Sequence, residues 1–154
     1  MSKKAAYIII ASVAAYVLLT KVRRVVSGLG WRIAGMRVLS SDPVDNSSLV
    51  SLRLQLRNTS PFSVVLSGVD GVVYIQGVEC ASISQALNQT IYANAISTVD
   101  LQFTLYWQGI AEAIKQNILS GNIANLTIRF AGDLIVEGRR IAIDKTITYD
   151  DLVQ

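Results

Sequence analysis

Histidine is absent from the 154 residues, and cysteine occurs once, at Cys80. Without histidine the chain lacks the commonest general base and the commonest zinc ligand. One cysteine closes no intramolecular disulfide, so the compartment cannot be read from it, and a Cys/His zinc site has no ligands. Cys80 itself reads as a small buried hydrophobe. Glycine-rich phosphate loops, serine-nucleophile motifs and paired-carboxylate constellations are also missing. Asp42, Asp45, Asp70 and Asp133 do not fall at calcium-loop spacing. These absences predict a protein that is not an enzyme and needs no cofactor or metal. Charge is scarce too: 16% of residues are charged, while the mean hydropathy reaches +0.42. Part of this chain is not built for water.

The net charge of +3 suggests nucleic-acid binding only until it is divided. Residues 1–30 hold Lys3, Lys4, Lys21, Arg23 and Arg24 and no acid, whereas residues 31–154 hold nine basic against eleven acidic side chains. A nucleic-acid domain needs its basic surface on the folded part. Basic residues flanking an apolar run suit a membrane surface, so membrane lipids are the expected partner and nucleic acid is not.

That run is AAYIIIASVAAYVLLT, residues 5–20, sixteen uncharged residues between the two basic groups. As a helix it spans roughly 24 Å, somewhat short of a ~30 Å hydrocarbon core, and snorkelling Lys and Arg stems can supply the difference. A continuous helix is predicted over residues 5–26, projecting from the domain with few contacts back to it. Gly28 and Gly30 are its natural stops, and Ser27–Gly30 is the one candidate hinge. Lys3, Lys4, Lys21, Arg23, Arg24 and Trp31 are the expected membrane-interface residues. A cleaved signal peptide, a buried soluble helix and a helix embedded in a larger assembly are the competing readings. The side of the membrane is not decided by the flanking charges.

From Trp31 the hydrophobic period changes to two. Val50, Leu52, Leu54 and Leu56 alternate with polar residues. So do Val99, Leu101, Phe103, Leu105 and Trp107, then Leu126, Ile128 and Phe130, then Ile141, Ile143 and Ile147. Such alternation marks strands with one buried and one wet face, usually antiparallel. Shorter strands are predicted near 32–39, 63–66, 71–76 and 79–84. Turns are read at 58–61, Ser67-Gly68, Gln76-Gly77, Gly132-Asp133 and Glu137-Gly138. Ile110, Ile114 and Ile118 recur every four residues and predict a short helix over 109–119, ended by Ser120-Gly121. About eight strands and one helix make an all-β fold, an antiparallel β-sandwich over residues 31–154, behind an anchor over residues 1–30.

Leu52, Leu54, Leu56, Asn58, Pro61, Phe62, Leu66, Gly68, Val73, Tyr74, Ile75 and Gly77, with the ending from Leu126 to Gly138, form a recognisable sequence of features. A hydrophobic strand runs into an Asn/Pro turn, then come an alternating strand, the pair Tyr74 and Gly77, and a late helix followed by a final hairpin. This pattern resembles the late embryogenesis abundant type 2 family, also called the water-stress and hypersensitive-response domain, over about two thirds of the chain. Tyr74 and Gly77 stand where the family shows a Tyr-x-x-x-Gly element. Pro61 stands three residues after Asn58 where the family usually places it next to the asparagine. The resemblance implies an immunoglobulin- or fibronectin-like sandwich without a catalytic centre, and roles in stress protection, apolar-ligand binding or envelope association.

The remaining candidates have structural explanations. Asn58, Pro61 and Gly77 read as turn residues. Tyr74, Tyr92, Tyr106 and Trp107 read as cross-strand packing rather than a ligand patch. Four Asn-x-Ser/Thr sequons, at Asn46, Asn58, Asn88 and Asn125, carry little weight in so Ser/Thr/Asn-rich a chain. The function expected is that of a single-pass membrane protein acting as a structural or protein-interaction module, in a cell envelope or at the internal membrane of a virion, with oligomer or larger assembly open. The alternative is a lipid or small apolar-ligand binder of the envelope.

Overall fold

The computed structural model describes residues 3–4 and 18–149. Residues 18–27 are helical (α1); most of the expected 5–26 helix lies outside the described residues. Seven strands follow: β1 (Leu29–Asp42), β2 (Ser47–Asn58), β3 (Val64–Ile75), β4 (Val78–Ile91), β5 (Ala95–Tyr106), β6 (Thr127–Val136) and β7 (Arg139–Thr148), with helix α2 (Glu112–Leu119) between β5 and β6. All pairings are antiparallel, in two sheets ordered β1-β2-β5 and β4-β3-β6-β7. The chain is therefore predominantly β. Among the described residues no helix is long and apolar enough to cross a membrane.

The two sheets share one apolar core. The predicted inward residues of β2 and β5, from Val50 to Leu56 and from Val99 to Leu105, are all at most 4% exposed. Leu66, Val69, Val73, Ile83, Ile128, Phe130, Leu134 and Ile147 meet them from the other sheet. Packing is close: the enclosed void between the sheets is ≈ 20 Å³, about the room for one water molecule. At one end Trp107 is buried and its indole N–H donates to Ser48 Oγ at 2.9 Å. There α2 packs through Ile118, with Ile110 and Ile114 half-buried beside it. The helix begins at Glu112, three residues later than its isoleucine spacing suggested, and Gly121 at φ +79° follows its end.

Three expectations are corrected by bulges and glycines. Ser67-Gly68 is not a turn. It is a register shift inside one continuous β3, where an extra residue reverses the face that alternation alone would bury. Gly132-Asp133 is not a turn either. Gly132 faces Gly71 across β3 and β6, and a Cβ on it would sit 2.3 Å from the Asp70 carbonyl oxygen. These glycines let the two backbones and the Phe130 ring come close. Trp31 is not an interface aromatic. It is 3% exposed and lines the space between the sheets with Leu54 and Leu56.

Candidate functional site

Adjacent strands run in opposite directions, so the β2–β3, β4–β5 and β6–β7 turns gather at one end of the sheets. That is the end where α1 joins β1, since Leu29 pairs with Asn58. Asn58 organises the first of these turns. It is 1% exposed; its Nδ2 donates to the Phe62 carbonyl at 2.7 Å and its Oδ1 accepts from Ser60 N–H at 3.0 Å. These bonds hold the loop through Pro61 and satisfy a buried amide that would otherwise be costly. The β4–β5 turn is tied to it, with Asn94 N–H donating to the Ser60 carbonyl and Ala93 N–H to Ser63 Oγ. Glu137 and Gly138, both at positive φ, make the β6–β7 turn, as Gln76 and Gly77 make the β3–β4 turn at the opposite end.

Helix α1 is docked on this end. Val22, Val25 and Val26 are 0–5% exposed and belong to the core. The Lys21 ammonium lies 3.8 Å from Glu137 Oε1, and the Arg24 guanidinium stands 5.8 Å from the Phe62 ring centroid. Arg23 and Val26 border a groove whose other wall is Ile141, Ile143 and Lys145. The expected projection with few contacts therefore fails over residues 18–26, because the apolar stripe Val22–Val25–Val26 faces the sheets. Nor is Ser27–Gly30 a hinge. Gly28 N–H donates to the Arg24 and Val25 carbonyls, and Leu29 and Gly30 are already paired with β2.

Of the expected interface residues, Lys3, Lys4, Arg23 and Arg24 are exposed, Lys21 is half-buried against Glu137, and Trp31 is interior. The turns add two basic residues that sequence reading missed, Arg57 and Arg139. Five basic side chains, Lys21, Arg23, Arg24, Arg57 and Arg139, thus surround this end against one carboxylate, Glu137. Among the described residues Arg23, Arg24, Arg57 and Arg139 have no carboxylate partner. Tyr92, 60% exposed, and Ile96, 53% exposed, stand at the same end on the β4–β5 edge, Ile96 paired with Arg57. The opposite end has the reverse balance: Asp42, Asp45, Glu79 and Glu112 against Lys115 and Arg129, which shares a cross-strand row with Glu79. It also shows exposed Leu39, Val44, Leu49 and Tyr106 near the β1–β2 turn.

Other candidates resolve into structure. Asp70 and Asp133 converge on Arg140, at 3.0 and 3.5 Å, so the cation between them is the chain's own. Asp42 Oδ1 accepts from the Val44 and Asp45 backbone N–H groups within the β1–β2 turn. Arg129 pairs with Asp144 through two bonds of 2.8 and 2.7 Å and stacks 5.0 Å from Tyr74. That guanidinium holds the Asp144 carboxyl below its ordinary range. The aromatics do not converge: Tyr74 lies under Arg129, Trp107 beneath Lys115, and Tyr92 and Tyr106 are exposed at opposite ends. Cys80 is buried, donates to the Val73 carbonyl, and burial pushes its thiol up to about 12.

No protein-family model and no curated protein matches the chain. Among solved structures, a protein from Archaeoglobus fulgidus is 16% identical, the match covering 74% of this chain and 91% of that one, with a TM-score of 0.43. A Northeast Structural Genomics Consortium target, SoR45, is 8% identical over 80% of this chain and 88% of its own, with a TM-score of 0.45. Likenesses this weak bear on neither fold family nor function.

Proposed function

We propose that the chain is a non-enzymatic, membrane-anchored module that holds protein neighbours at a fixed orientation to a bilayer, in a cell envelope or at the internal membrane of a virion. One observation carries this reading: α1, which continues the uncharged run of residues 5–20, is packed rigidly on the end of the domain whose basic side chains have, but for Lys21, no carboxylate partner among the described residues. The run would enter the bilayer there, and the acidic, partly apolar far end would face protein. An immunoglobulin- or fibronectin-like sandwich and kinship with the late embryogenesis abundant type 2 family belong to the same reading. Support comes from two facing sheets and from the buried Asn58, which organises its turn even though Pro61 is displaced.

The docking of α1 alters the expected mode of anchoring. With residues 18–27 held on the domain, thirteen uncharged residues, 5–17, remain for the bilayer. In helical form they reach about 20 Å, against a ~30 Å hydrocarbon core. That length favours insertion into one leaflet over the full crossing suggested by sixteen residues. The alternative, an apolar ligand held inside the core, is disfavoured by a void of ≈ 20 Å³, since ligand pockets run to hundreds of Å³.

Alkaline carbonate extraction of membranes from expressing cells tests the anchor. The full chain should stay in the pellet and a chain lacking residues 1–17 should pass to the supernatant. Release of the full chain at high pH would refute the proposal.

A further inference from the structure

The turns beside α1 offer more than attachment points for a helix. We infer that the β2–β3, β4–β5 and β6–β7 end of the domain is itself a second membrane-contact surface, specific for anionic lipid headgroups. Arg23, Arg24, Arg57 and Arg139 would meet phosphate and carboxylate groups, and Tyr92 and Ile96 would sit among the glycerol and upper acyl groups. The inference rests on the anchored reading above.

Three observations on this end point the same way. The first is charge. Four basic side chains that have no carboxylate partner among the described residues lie at one end of the sheets, while carboxylates predominate at the opposite end. That separation orients the domain in the field of an anionic surface, with the basic end inward. The second is chemistry. Tyr92 and Ile96 are more than half exposed on strand ends and turns tied by backbone hydrogen bonds, so they are rigid apolar protrusions at the same end, with Ile96 paired to Arg57. A tyrosine with an apolar ring and a polar tip suits the headgroup level. The third is length. Lys21 meets Glu137 in the β6–β7 turn, so the apolar run is delivered to the domain at this end, with no free segment between residue 18 and the sheets. As a helix the thirteen residues 5–17 would reach about 20 Å, and with no free segment their insertion into one leaflet brings this end, with its neighbouring turns, to the headgroup level.

An acidic protein surface would satisfy the charges but not the length argument, and it appears below as an outcome of the test. The experiment uses the full chain, reconstituted in phosphatidylcholine liposomes with and without phosphatidylserine. A nitroxide is attached at Ala93→Cys, beside Tyr92, or at Val44→Cys, 91% exposed at the far end. Buried Cys80 does not compete for the label. Collision with lipid-soluble oxygen and with a water-soluble nickel complex reports depth at each site. The nitroxide at position 93 should shift several-fold toward oxygen on reconstitution, more with phosphatidylserine, while that at position 44 stays aqueous. Arg57→Gln with Arg139→Gln should erase the difference between the two lipid mixtures. If the chain floats with the liposomes but position 93 stays as aqueous as position 44, the second contact is wrong and the anchor stands. Shielding of position 93 from both quenchers would assign the surface to protein and overturn the inference. A chain that fails to float overturns both readings.

Discussion

Docking of α1 makes a quantitative claim about Val22 and Val25, both 0% exposed. Replacing either with alanine removes two methyl-sized groups from the core. At about 0.8 kcal/mol for each such group the transfer loss is about 1.6 kcal/mol. Incomplete collapse around the vacated space raises this to roughly 2–3 kcal/mol. For a domain of this size that corresponds to a Tm lower by about 6–10 °C. Arg23 lies on the same helix but is exposed, so Arg23→Ala should cost no more than about 0.5 kcal/mol. The assay is thermal unfolding of the full chain in mild detergent, followed by circular dichroism in the β region. Valine variants that melt together with Arg23→Ala would refute the docked helix. The rigid orientation and the shortened anchor would fall with it.

Three further outcomes follow from single residues. Asn58→Ala removes the bonds to Phe62 and Ser60 from a buried turn and should cost about 2–4 kcal/mol in urea unfolding. Gly132→Ala would place a Cβ 2.3 Å from the Asp70 carbonyl oxygen and should cost at least ~3 kcal/mol; Gly35→Ala, with nothing within 4 Å, should be nearly neutral in the same assay. With its thiol pushed from 9.0 to about 12 by burial, Cys80 should resist a thiol reagent at pH 8 and react at once in denaturant, the native thiolate fraction being lower by roughly a thousandfold.

Legibility in the sequence followed regularity. β2 and β5 pair in unbroken register, and their alternation predicts both the strands and the inward residues. β1, β3 and β4 contain register shifts, and those after Ile33 and Leu66 reverse the buried face partway along. In β1 Trp31 and Ile33 point inward, and after the shift Met36 does. A period-two reading sees the reversal as an ending, which is why β3 divides into two predicted strands. Gly132 misleads for a different reason: glycine marks turns and close backbone approaches alike, and only the partner strand distinguishes them. The basic end was half legible. Lys21, Arg23 and Arg24 stand out beside an apolar run, but Arg57 and Arg139 come to the same end as α1 only through the alternating directions of the paired strands. Trp31 follows the same logic in reverse, since its alternation with Leu29 and Ile33 predicts the core as well as its position after the basic group suggests an interface.

The join between helix and domain decides how the molecule can work. A flexible Ser27–Gly30 segment would leave the domain swinging on a tether, and its orientation to the bilayer would be lost within a few residues. Instead Ser27 Oγ and Gly28 N–H both return to the Arg24 carbonyl, and Gly30 is already paired with Arg57. Val22, Val25 and Val26 on one side of the join and Leu29 and Trp31 on the other enter the same core. Tilting α1 would therefore require opening that core, an event on the scale of unfolding rather than of loop motion. If residues 5–17 anchor the chain as proposed, a rigid join shortens the anchor's reach and fixes which end of the domain meets the surface. On the proposed anchored reading, the far end, with Leu39, Val44, Leu49 and Tyr106 exposed, would be presented away from the bilayer, as a module that positions protein neighbours requires.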